Sequence, residues 1–341
     1  MTRILIIKLR SFGDVLRTTC VLSGLHNKYS DVNIVWLSSP EALSVLENNS
    51  LINDVVSLKN VQNHQAMRKT FDFVINLEDN IAACEIVSSI STINLIGAYE
   101  NDGLIYYTEN SAEWFDMSLI SRHGKNEADR LKKRNKRTYP RILFDMLNIS
   151  PGKPLLSIPT RERTFAHQFK TRLVSNGHPI IGLNTGAGSR WQFKKLSVEK
   201  TAILADLLTD SLGASVVLFG GTAEKERNLY IQKLSKTRLI DAGNNNSLLE
   251  FSALISICDL LITSDSLALH IASCFGLPIV VFFGPTSASE IELFGPGEKI
   301  IPNMDCISCY KQNCDFNPTC MDNISAELLF ETTKNLLSRT Q

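Results

Sequence analysis

The sequence of 341 residues contains no apolar run that approaches the roughly 20 residues of a membrane-spanning helix. The apolar run at residues 4–8 is too short for a signal-peptide core, and no small-residue cleavage site follows it. Lys+Arg and Asp+Glu each number 35, so the net charge is zero and gives no electrostatic argument for a nucleic-acid partner. These absences predict a cytoplasmic protein that does not bind nucleic acid.

Two common phosphate-binding signatures are also missing from the first predicted strand–helix turn. That turn has neither the G-x-G-x-x-G fingerprint of dinucleotide sites nor the P-loop lysine arrangement. This turn instead places one carboxylate at the start of a helix.

What the chain does have is a regular alternation of apolar runs and helical patterns. Strands are predicted at residues 4–9, 32–37, 54–58, 71–77 and 92–97, and then at 180–184, 215–219, 239–241, 260–263 and 279–283. The runs are continuously apolar, which is typical of parallel strands buried on both faces. The helical pattern at residues 14–29 predicts one helix, whereas residues 101–116 fit no regular element.

The proline-rich stretch at residues 150–159 interrupts the alternation and predicts a linker. We therefore predict an α/β protein with two Rossmann-like, doubly wound domains that face each other across a cleft. The predicted domains are residues 1–155 and residues 156–341. The second includes a cysteine-rich loop at residues 305–321 and a C-terminal helix.

One strand end in the second half carries several polar residues. Residues 259–270 read DLLITSDSLALH, so an apolar run ends at Ser264, Asp265 and Ser266 before a helical pattern that contains His270. In open α/β sheets, ligands bind at the carboxyl ends of strands, where helix N-termini present N–H groups to anions. A nucleotide or phosphate site is predicted here, although His270 also fits a side chain near the core.

Two other turns of the second half fit the same site. Small residues in the turn after residue 184 permit close backbone approach, and Arg190 and Lys194 supply cations for phosphate oxygens. A solvated loop is the alternative interpretation. After the sequence FGG at residues 219–221, Glu224 and Glu226 are candidates to hold a ribose through its hydroxyls. A capping box from Thr222 would explain one of these acids without a ligand.

The turn after the first strand places a carboxylate, Asp14, at the start of a helix. Lys8, Arg10 and Gly13 flank it in the sequence. A general base would act from such a position, but Asp is also a common helix cap, and the residues alone leave both interpretations open.

Five motifs of the chain are KLRSFGDV (8–15), TGAGSRW (185–191), FGG (219–221), SDSLALHIA (264–272) and FGPT (283–286). In this order they resemble glycosyltransferase family 9, the bacterial heptosyltransferases of lipopolysaccharide core assembly. The resemblance implies a GT-B fold with an N-terminal acceptor domain and a C-terminal domain for a nucleotide-sugar, usually ADP-heptose. It also implies inverting transfer to a glycan, lipid-linked or protein acceptor, with no cofactor for catalysis.

The resemblance also implies roles for individual residues. Asp14 matches the general base, with Lys8, Arg10 and Gly13 beside it on the acceptor side. Lys194 matches a contact to the donor phosphates, and Asp265 matches the acid that closes on the sugar-phosphate. The full set expected at the donor is Thr185, Gly186, Gly188, Arg190, Lys194, Glu224, Glu226, Ser264, Asp265, Ser266 and His270.

The chain departs from the family pattern at Leu267, where many members have glycine. Another GT-B enzyme, such as a nucleotide-sugar 2-epimerase, would need no acceptor. A non-catalytic assembly protein of the same fold is the other alternative. The presence of Asp14, Lys194 and Asp265 favours an enzyme.

Four of the eight cysteines cluster in the sequence, at Cys306, Cys309, Cys314 and Cys320. Their number and compactness predict a structural tetrahedral thiolate site, and packed free thiols are the alternative. A similar segment occurs in relatives of the family, and one branch binds iron there, so the resemblance implies zinc or iron. The other four cysteines lie in apolar contexts typical of buried side chains.

Residues 122–141 hold nine Lys/Arg against two acids. A solvated helix face explains such a charge run. The functional alternative is attraction to phosphates of a lipid-linked acceptor or peripheral contact with the anionic inner membrane.

Overall fold

The computed structural model describes residues 1–118, 122–173, 177–188 and 192–340. The chain divides into two compact units, Met1–Ser157 and Ile158–Gln341, called here the N-terminal and C-terminal units. The division falls inside the proline-rich stretch, two residues after the predicted boundary. Within the described ranges, no helix is both long and apolar enough to cross a membrane.

The N-terminal unit is built on a six-stranded sheet. Its strands are β1 (Thr2–Ile7), β2 (Val32–Ser38), β3 (Asp54–Ser57), β4 (Phe71–Asn76), β5 (Thr92–Asn101) and β6 (Leu104–Tyr107). Their order is β3-β2-β1-β4-β5-β6, and all neighbours are parallel except β5 and β6. The order reverses between β1 and β4, and that switch point is where open α/β sheets bind ligands.

The helices of this unit follow the predicted alternation with one clear error. They are α1 (Phe12–Thr18), α2 (Val21–Lys28), α3 (Ile81–Ser89), α4 (Ala112–Phe115), α5 (Lys125–Arg134) and α6 (Tyr139–Leu147). The prediction of a single helix at residues 14–29 is wrong, because α1 ends at Thr18 and a second helix, α2, begins at Val21. The Thr19 hydroxyl donates to the carbonyl of Leu16 at 2.7 Å, the type of local bond by which threonine competes with helix continuation.

Residues 101–116, for which the sequence predicted no regular element, contain the antiparallel strand β6 and the short helix α4. Two aromatic side chains of this stretch pack against each other, whereas Tyr106 is exposed. The rings of Tyr107 and Phe115 lie 5.4 Å apart, and Phe115 is fully buried. Packing against the unit, rather than a regular period, therefore fixes the stretch.

The C-terminal unit repeats the same strand order. Its strands are β7 (Ile180–Asn184), β8 (Ser215–Phe219), β9 (Ile240–Asp241), β10 (Leu260–Ser264), β11 (Ile279–Phe282) and β12 (Gly297–Ile300). Their order is β12-β11-β10-β7-β8-β9, and every pair is parallel. The switch point lies between β7 and β10. The two doubly wound α/β sheets confirm the predicted fold class.

The helices of the C-terminal unit are α7 (Thr160–Thr171), α8 (Val198–Leu212), α9 (Lys225–Leu234), α10 (Leu248–Ser256), α11 (Leu267–Cys274) and α12 (Ala326–Thr340). Two of them, α8 and α10, begin at side-chain caps. Ser197 caps α8 by accepting the N–H of Lys200 at 3.1 Å, and Ser247 and Glu250 form a capping box at α10. The predicted C-terminal helix is α12, and strand β12 was not predicted.

Candidate active site

The switch point of the C-terminal unit is closed by an asparagine at the end of β7. Asn184 Nδ2 donates to Thr263 Oγ1 at 3.0 Å and to Ser266 Oγ at 3.1 Å. These bonds tie the ends of β7 and β10 together. Ser266 stands at the N-cap of α11, and its hydroxyl lies 3.0 Å from Thr263 Oγ1. The edge of the sheet and the start of α11 therefore form one hydrogen-bonded surface.

A buried ion pair crosses this surface. Lys194 Nζ lies 2.7 Å from Asp265 Oδ2 and 3.0 Å from the Asp265 carbonyl. The two side chains are only 9% and 16% exposed. Thr286 Oγ1 donates to the same carboxylate oxygen at 2.7 Å, from the turn after β11. Three separate segments of the chain, which follow β7, β10 and β11, therefore meet at Asp265.

The carboxylate of Asp265 is held in its charged form. Burial opposes ionisation, but Lys194, His270 and the hydrogen bonds from Lys194 and Thr286 together lower the pKa of Asp265 to about 2. His270 is half-buried on α11, so the structure places it electrostatically with the site rather than in the core. The cluster carries fixed charges of both signs where a phosphorylated ligand is expected.

A second ion pair lies beside the first. Lys195 Nζ is 2.9 Å from Glu224 Oε1, and Glu224 Oε2 accepts the N–H of Gly221 at 3.1 Å. Glu224 is buried, whereas Glu226 is exposed on the first turn of α9. Of the two candidate acids, Glu224 is the one built into this cluster.

The small residues after β7 have different reasons for being small. A Cβ at Gly186 would lie 3.0 Å from Glu224 Cδ, so Gly186 is needed for packing against that carboxylate. Gly188 has a φ of +72°, which favours glycine, and open space around it. The Thr185 hydroxyl donates to Asn228 Oδ1 at 2.6 Å, so it braces the turn from inside.

Ser264 and Arg190 are also among the residues predicted at the donor. Ser264 is the last residue of β10 and is buried. Arg190 lies outside the described residues.

Sequence reasoning missed Tyr310 and Glu290, which lie next to this cluster. Tyr310 Oη donates to Glu290 Oε1 at 2.9 Å. Burial and the neighbouring charges of Glu290 and Asp265 raise the pKa of Tyr310, so the hydroxyl keeps its proton. Neither residue belongs to a recognised motif, and only the three-dimensional contact of two loops reveals them.

In the N-terminal unit, Asp14 is the third residue of α1, and Ser11 rather than Asp14 occupies the N-cap. The carboxylate forms an ion pair with Arg17 at 2.7 Å and remains 35% exposed. The Arg17 guanidinium lies 3.5 Å from the ring centroid of Tyr139, whose hydroxyl is 3.1 Å from Thr18 Oγ1. Asp14 is therefore a partly open carboxylate with its partner cation stacked on an aromatic ring.

Lys8, one of the residues named on the acceptor side, is buried. Its ammonium is buried in an ion pair with Glu78 at 2.7 Å, and Glu78 Oε1 also accepts the N–H of Leu9 at 2.8 Å. Burial alone would lower the pKa of Lys8, but Tyr139, Glu78 and Asp14 raise it. Glu78, after β4, was missed because its partner lies 70 residues away in sequence.

The two remaining residues named on the acceptor side differ in exposure. Gly13 is buried within α1, and Arg10 is exposed in the loop before it. Of the four N-terminal candidates, Arg10 and Asp14 are the charged side chains that reach the surface.

The predicted four-thiolate site at Cys306, Cys309, Cys314 and Cys320 is not assembled in this structure. Within the described ranges, no group of three or more His, Cys, Asp or Glu side chains is placed to hold a metal ion. The thiols are nevertheless neighbours. Burial, and then the charges of the other three, raise the pKa of Cys320 to about 11.

The cysteine-rich segment packs on the core of the C-terminal unit, so its conformation does not require a bound metal. Cys320 and Met321 belong to the hydrophobic core of the C-terminal unit, and Met304 and Ile307 pack against it. The unit's own core therefore supports the segment at both ends. A structural zinc or iron ion stays a prediction, which elemental analysis of protein purified without chelator tests.

The comparison with family models identifies one family. The model of glycosyltransferase family 9 (heptosyltransferase) matches residues 62–319. Lipooligosaccharide heptosyltransferase 2 of Campylobacter jejuni is 28% identical over 186 residues, which are 52% of this chain and 57% of that protein. The match to this relative thus spans little more than half its length.

Two solved structures share the fold over almost the whole chain. The glycosyl transferase family 9 structure from Veillonella parvula has a TM-score of 0.78 and 22% identity, covering 99% of this chain and 97% of that one. The ADP-heptose lipopolysaccharide heptosyltransferase II structure from E. coli has a TM-score of 0.69 and 18% identity, covering 99% of both chains. With the family model matching 258 of the 341 residues (62 to 319), the chain belongs to glycosyltransferase family 9.

Proposed function

We propose that the protein is an inverting glycosyltransferase that moves a heptose from a nucleotide-diphosphate sugar, ADP-heptose, to an acceptor hydroxyl. The acceptor is a lipopolysaccharide-core glycan or another glycan or protein. The observation that carries the proposal is the buried Lys194–Asp265 pair at the switch point of the C-terminal unit, in a chain of family 9. Sheets of this topology bind their ligands at the switch point, and the pair places a fixed cation there.

The C-terminal unit supplies the donor site in this proposal. Lys194 and the N–H groups at the start of α11 face the diphosphate, and they stabilise the negative charge that develops as it leaves. Glu224 accepts hydroxyls of the ribose, with Lys195 holding its carboxylate at 2.9 Å. The protein's own cations act on the leaving group in place of a divalent metal, and no cofactor takes part.

The N-terminal unit supplies the base. Asp14 takes the proton from the acceptor hydroxyl as the oxygen attacks the anomeric carbon from the face opposite the diphosphate. Arg17 orients the carboxylate at 2.7 Å, the usual arrangement of a base held by a third group. Displacement from the opposite face inverts the anomeric configuration.

In this proposal, the basic stretch at residues 122–141 forms a positively charged surface that faces the acceptor or the membrane. Several of its cations are paired within the unit, for example Lys125 with Asp129 at 2.9 Å. Lys133, Arg134 and Lys136 are exposed at the end of α5 and just after it. In the proposal these three draw phosphates of a lipid-linked acceptor or the anionic inner leaflet toward the N-terminal unit.

The test combines binding and turnover. A thermal-shift series with ADP, UDP and GDP should show protection by ADP, because a ligand that binds only the folded state raises its apparent stability. Equal protection by UDP or GDP would remove the adenine assignment. ADP-heptose with acceptor should then give glycosylated product, whereas conversion of the donor without acceptor would identify an epimerase or hydrolase.

A further inference from the structure

The cysteine-rich segment is attached directly to the turn that contacts Asp265. The N–H of Ser308 donates to the carbonyl of Gly284 at 2.9 Å, and the N–H of Tyr310 donates to the carbonyl of Pro285 at 2.8 Å. Two consecutive carbonyls of the turn after β11 are therefore bound by alternate residues of the segment. The next residue of the turn, Thr286, is the one that donates to Asp265.

Close packing strengthens this attachment. A Cβ at Gly284 would lie 2.5 Å from Cys320 Sγ and 2.7 Å from Met321 Cε, so only glycine fits against the end of the segment. The segment therefore meets the turn with both backbone hydrogen bonds and a contact that leaves no space for a side chain.

The backbone of the segment is held in an unusual conformation at the points of attachment. Ser308 and Tyr310 have φ angles of +61° and +53°, in the left-handed region that residues other than glycine seldom occupy. Such conformations persist where the surrounding structure determines them, and they concentrate at functional sites. Both of these residues donate their N–H to the turn.

The Tyr310 side chain adds a second point of attachment. Its hydroxyl donates to Glu290 Oε1 at 2.9 Å, four residues beyond Thr286. Farther along, the Lys299 ammonium donates to the carbonyls of Ala288 and Ile291 at 2.8 and 2.6 Å. Tyr310 thus contacts the loop on both sides of Thr286, through Pro285 and through Glu290.

From this geometry we propose that Tyr310 is a positioning residue of the donor site. It fixes the loop at residues 284–290 through its N–H and its hydroxyl, and so holds Thr286 in hydrogen-bonding contact with Asp265. The cysteine-rich segment acts as a brace for the charged cluster that binds the donor diphosphate. The inference rests on the proposed function, because it assigns the braced site to a nucleotide-sugar.

The matched variants are Tyr310→Phe and Tyr230→Phe. The first keeps the ring and removes the hydroxyl, and the second makes the same change on the exposed face of α9. Titration calorimetry with ADP should show about fivefold to tenfold weaker binding for Tyr310→Phe, because the bond to a charged acceptor is lost, and wild-type affinity for Tyr230→Phe. Donor KM should rise by the same factor with kcat within about twofold, the signature of lost binding that is equal in the ground state and the transition state.

A double-mutant cycle separates positioning from general weakening of the fold. If the hydroxyl acts through Glu290, removing it in a Glu290→Ala background, which lacks the acceptor, should change ADP affinity less than it does in the wild type. Fully additive effects, or wild-type ADP affinity in Tyr310→Phe, would overturn the inference. If Tyr310→Phe does not fold, Glu290→Ala alone decides: weaker ADP binding supports the inference and unchanged binding overturns it. Wild-type protein that binds no ADP would overturn the proposed function, and the inference with it.

Discussion

The two units of this chain have the same strand order, and each has a buried Lys–acid ion pair at its own switch point. The residues around the two pairs differ. Lys8 and Glu78 meet at 2.7 Å between β1 and β4, and Lys194 and Asp265 meet at 2.7 Å between β7 and β10. Topology thus determines where buried charge is placed. The neighbouring residues determine what each pair can do.

In the N-terminal unit, the acid of the pair also accepts a backbone N–H, from Leu9, so the pair closes the end of β1. In the C-terminal unit, the acid instead accepts a hydroxyl from a separate loop, and a second pair, Lys195–Glu224, lies beside it. The first arrangement is typical of a structural pair, and the second of a surface built for a charged ligand. Position at a switch point alone would not separate the two.

The largest effect is expected at Asp14, which stands outside both pairs. Asp14→Asn should lower kcat by about two to four orders of magnitude, the usual contribution of a general base, while ADP affinity stays unchanged. Steady-state kinetics with ADP-heptose and acceptor measure the first, and calorimetry measures the second. Near-normal turnover would leave Asp14 only a helix-stabilising role in the first turn of α1.

Next in size is the structural cost of breaking the N-terminal pair. Lys8→Ala leaves the buried Glu78 carboxylate without its cation and should lower the free energy of unfolding by about 3–5 kcal/mol. The matched control replaces both residues, as Lys8→Met with Glu78→Leu, and should restore much of that loss because no buried charge is left unpaired. Urea unfolding curves give the comparison. A loss below about 1 kcal/mol for Lys8→Ala would show that the pair is solvated.

Acid titration addresses the C-terminal pair alone. Because the pKa of Asp265 is lowered to about 2, its contribution to stability is present above the ordinary aspartate pKa and is lost as pH falls toward 2. The contribution is about 2 kcal/mol for a shift of this size. The difference in unfolding free energy between wild type and Asp265→Asn should therefore shrink between about pH 4 and pH 2. A difference that does not vary over that range would contradict the lowered pKa.

The smallest effect concerns the exposed cations of the basic stretch. Replacing Lys133, Arg134 and Lys136 by Gln should reduce co-sedimentation with anionic vesicles, at about 1 kcal/mol per cation near the surface. Three exposed cations of the C-terminal unit serve as the control: Lys233, Lys236 and Lys334. Binding that responds neither to anionic lipid nor to salt would leave the basic stretch a solvated helix face.

The sequence predicted the parts of this comparison that depend on local pattern. Continuous apolar runs indicated ten of the strands, and the polar residues at the end of β10 indicated where the charged cluster around Asp265 lies. It did not predict β12, whose residues read GEKI with no apolar run. It also gave no sign of the Lys8–Glu78 pair, because Glu78 is brought to Lys8 only by the pairing of β1 with β4. Contacts between distant segments, such as Tyr310 with Glu290, leave no periodic trace in a single sequence.

The central claim is that the C-terminal pair serves the donor and the N-terminal pair serves the fold. ADP titration of Lys194→Ala and Lys8→Ala, each measured well below its unfolding temperature, tests it directly. Lys194→Ala should bind ADP about tenfold to a hundredfold more weakly, because a charge-assisted contact to phosphate is lost, and Lys8→Ala should bind with wild-type affinity. Equal weakening in both variants, or wild-type affinity in Lys194→Ala, would contradict the account.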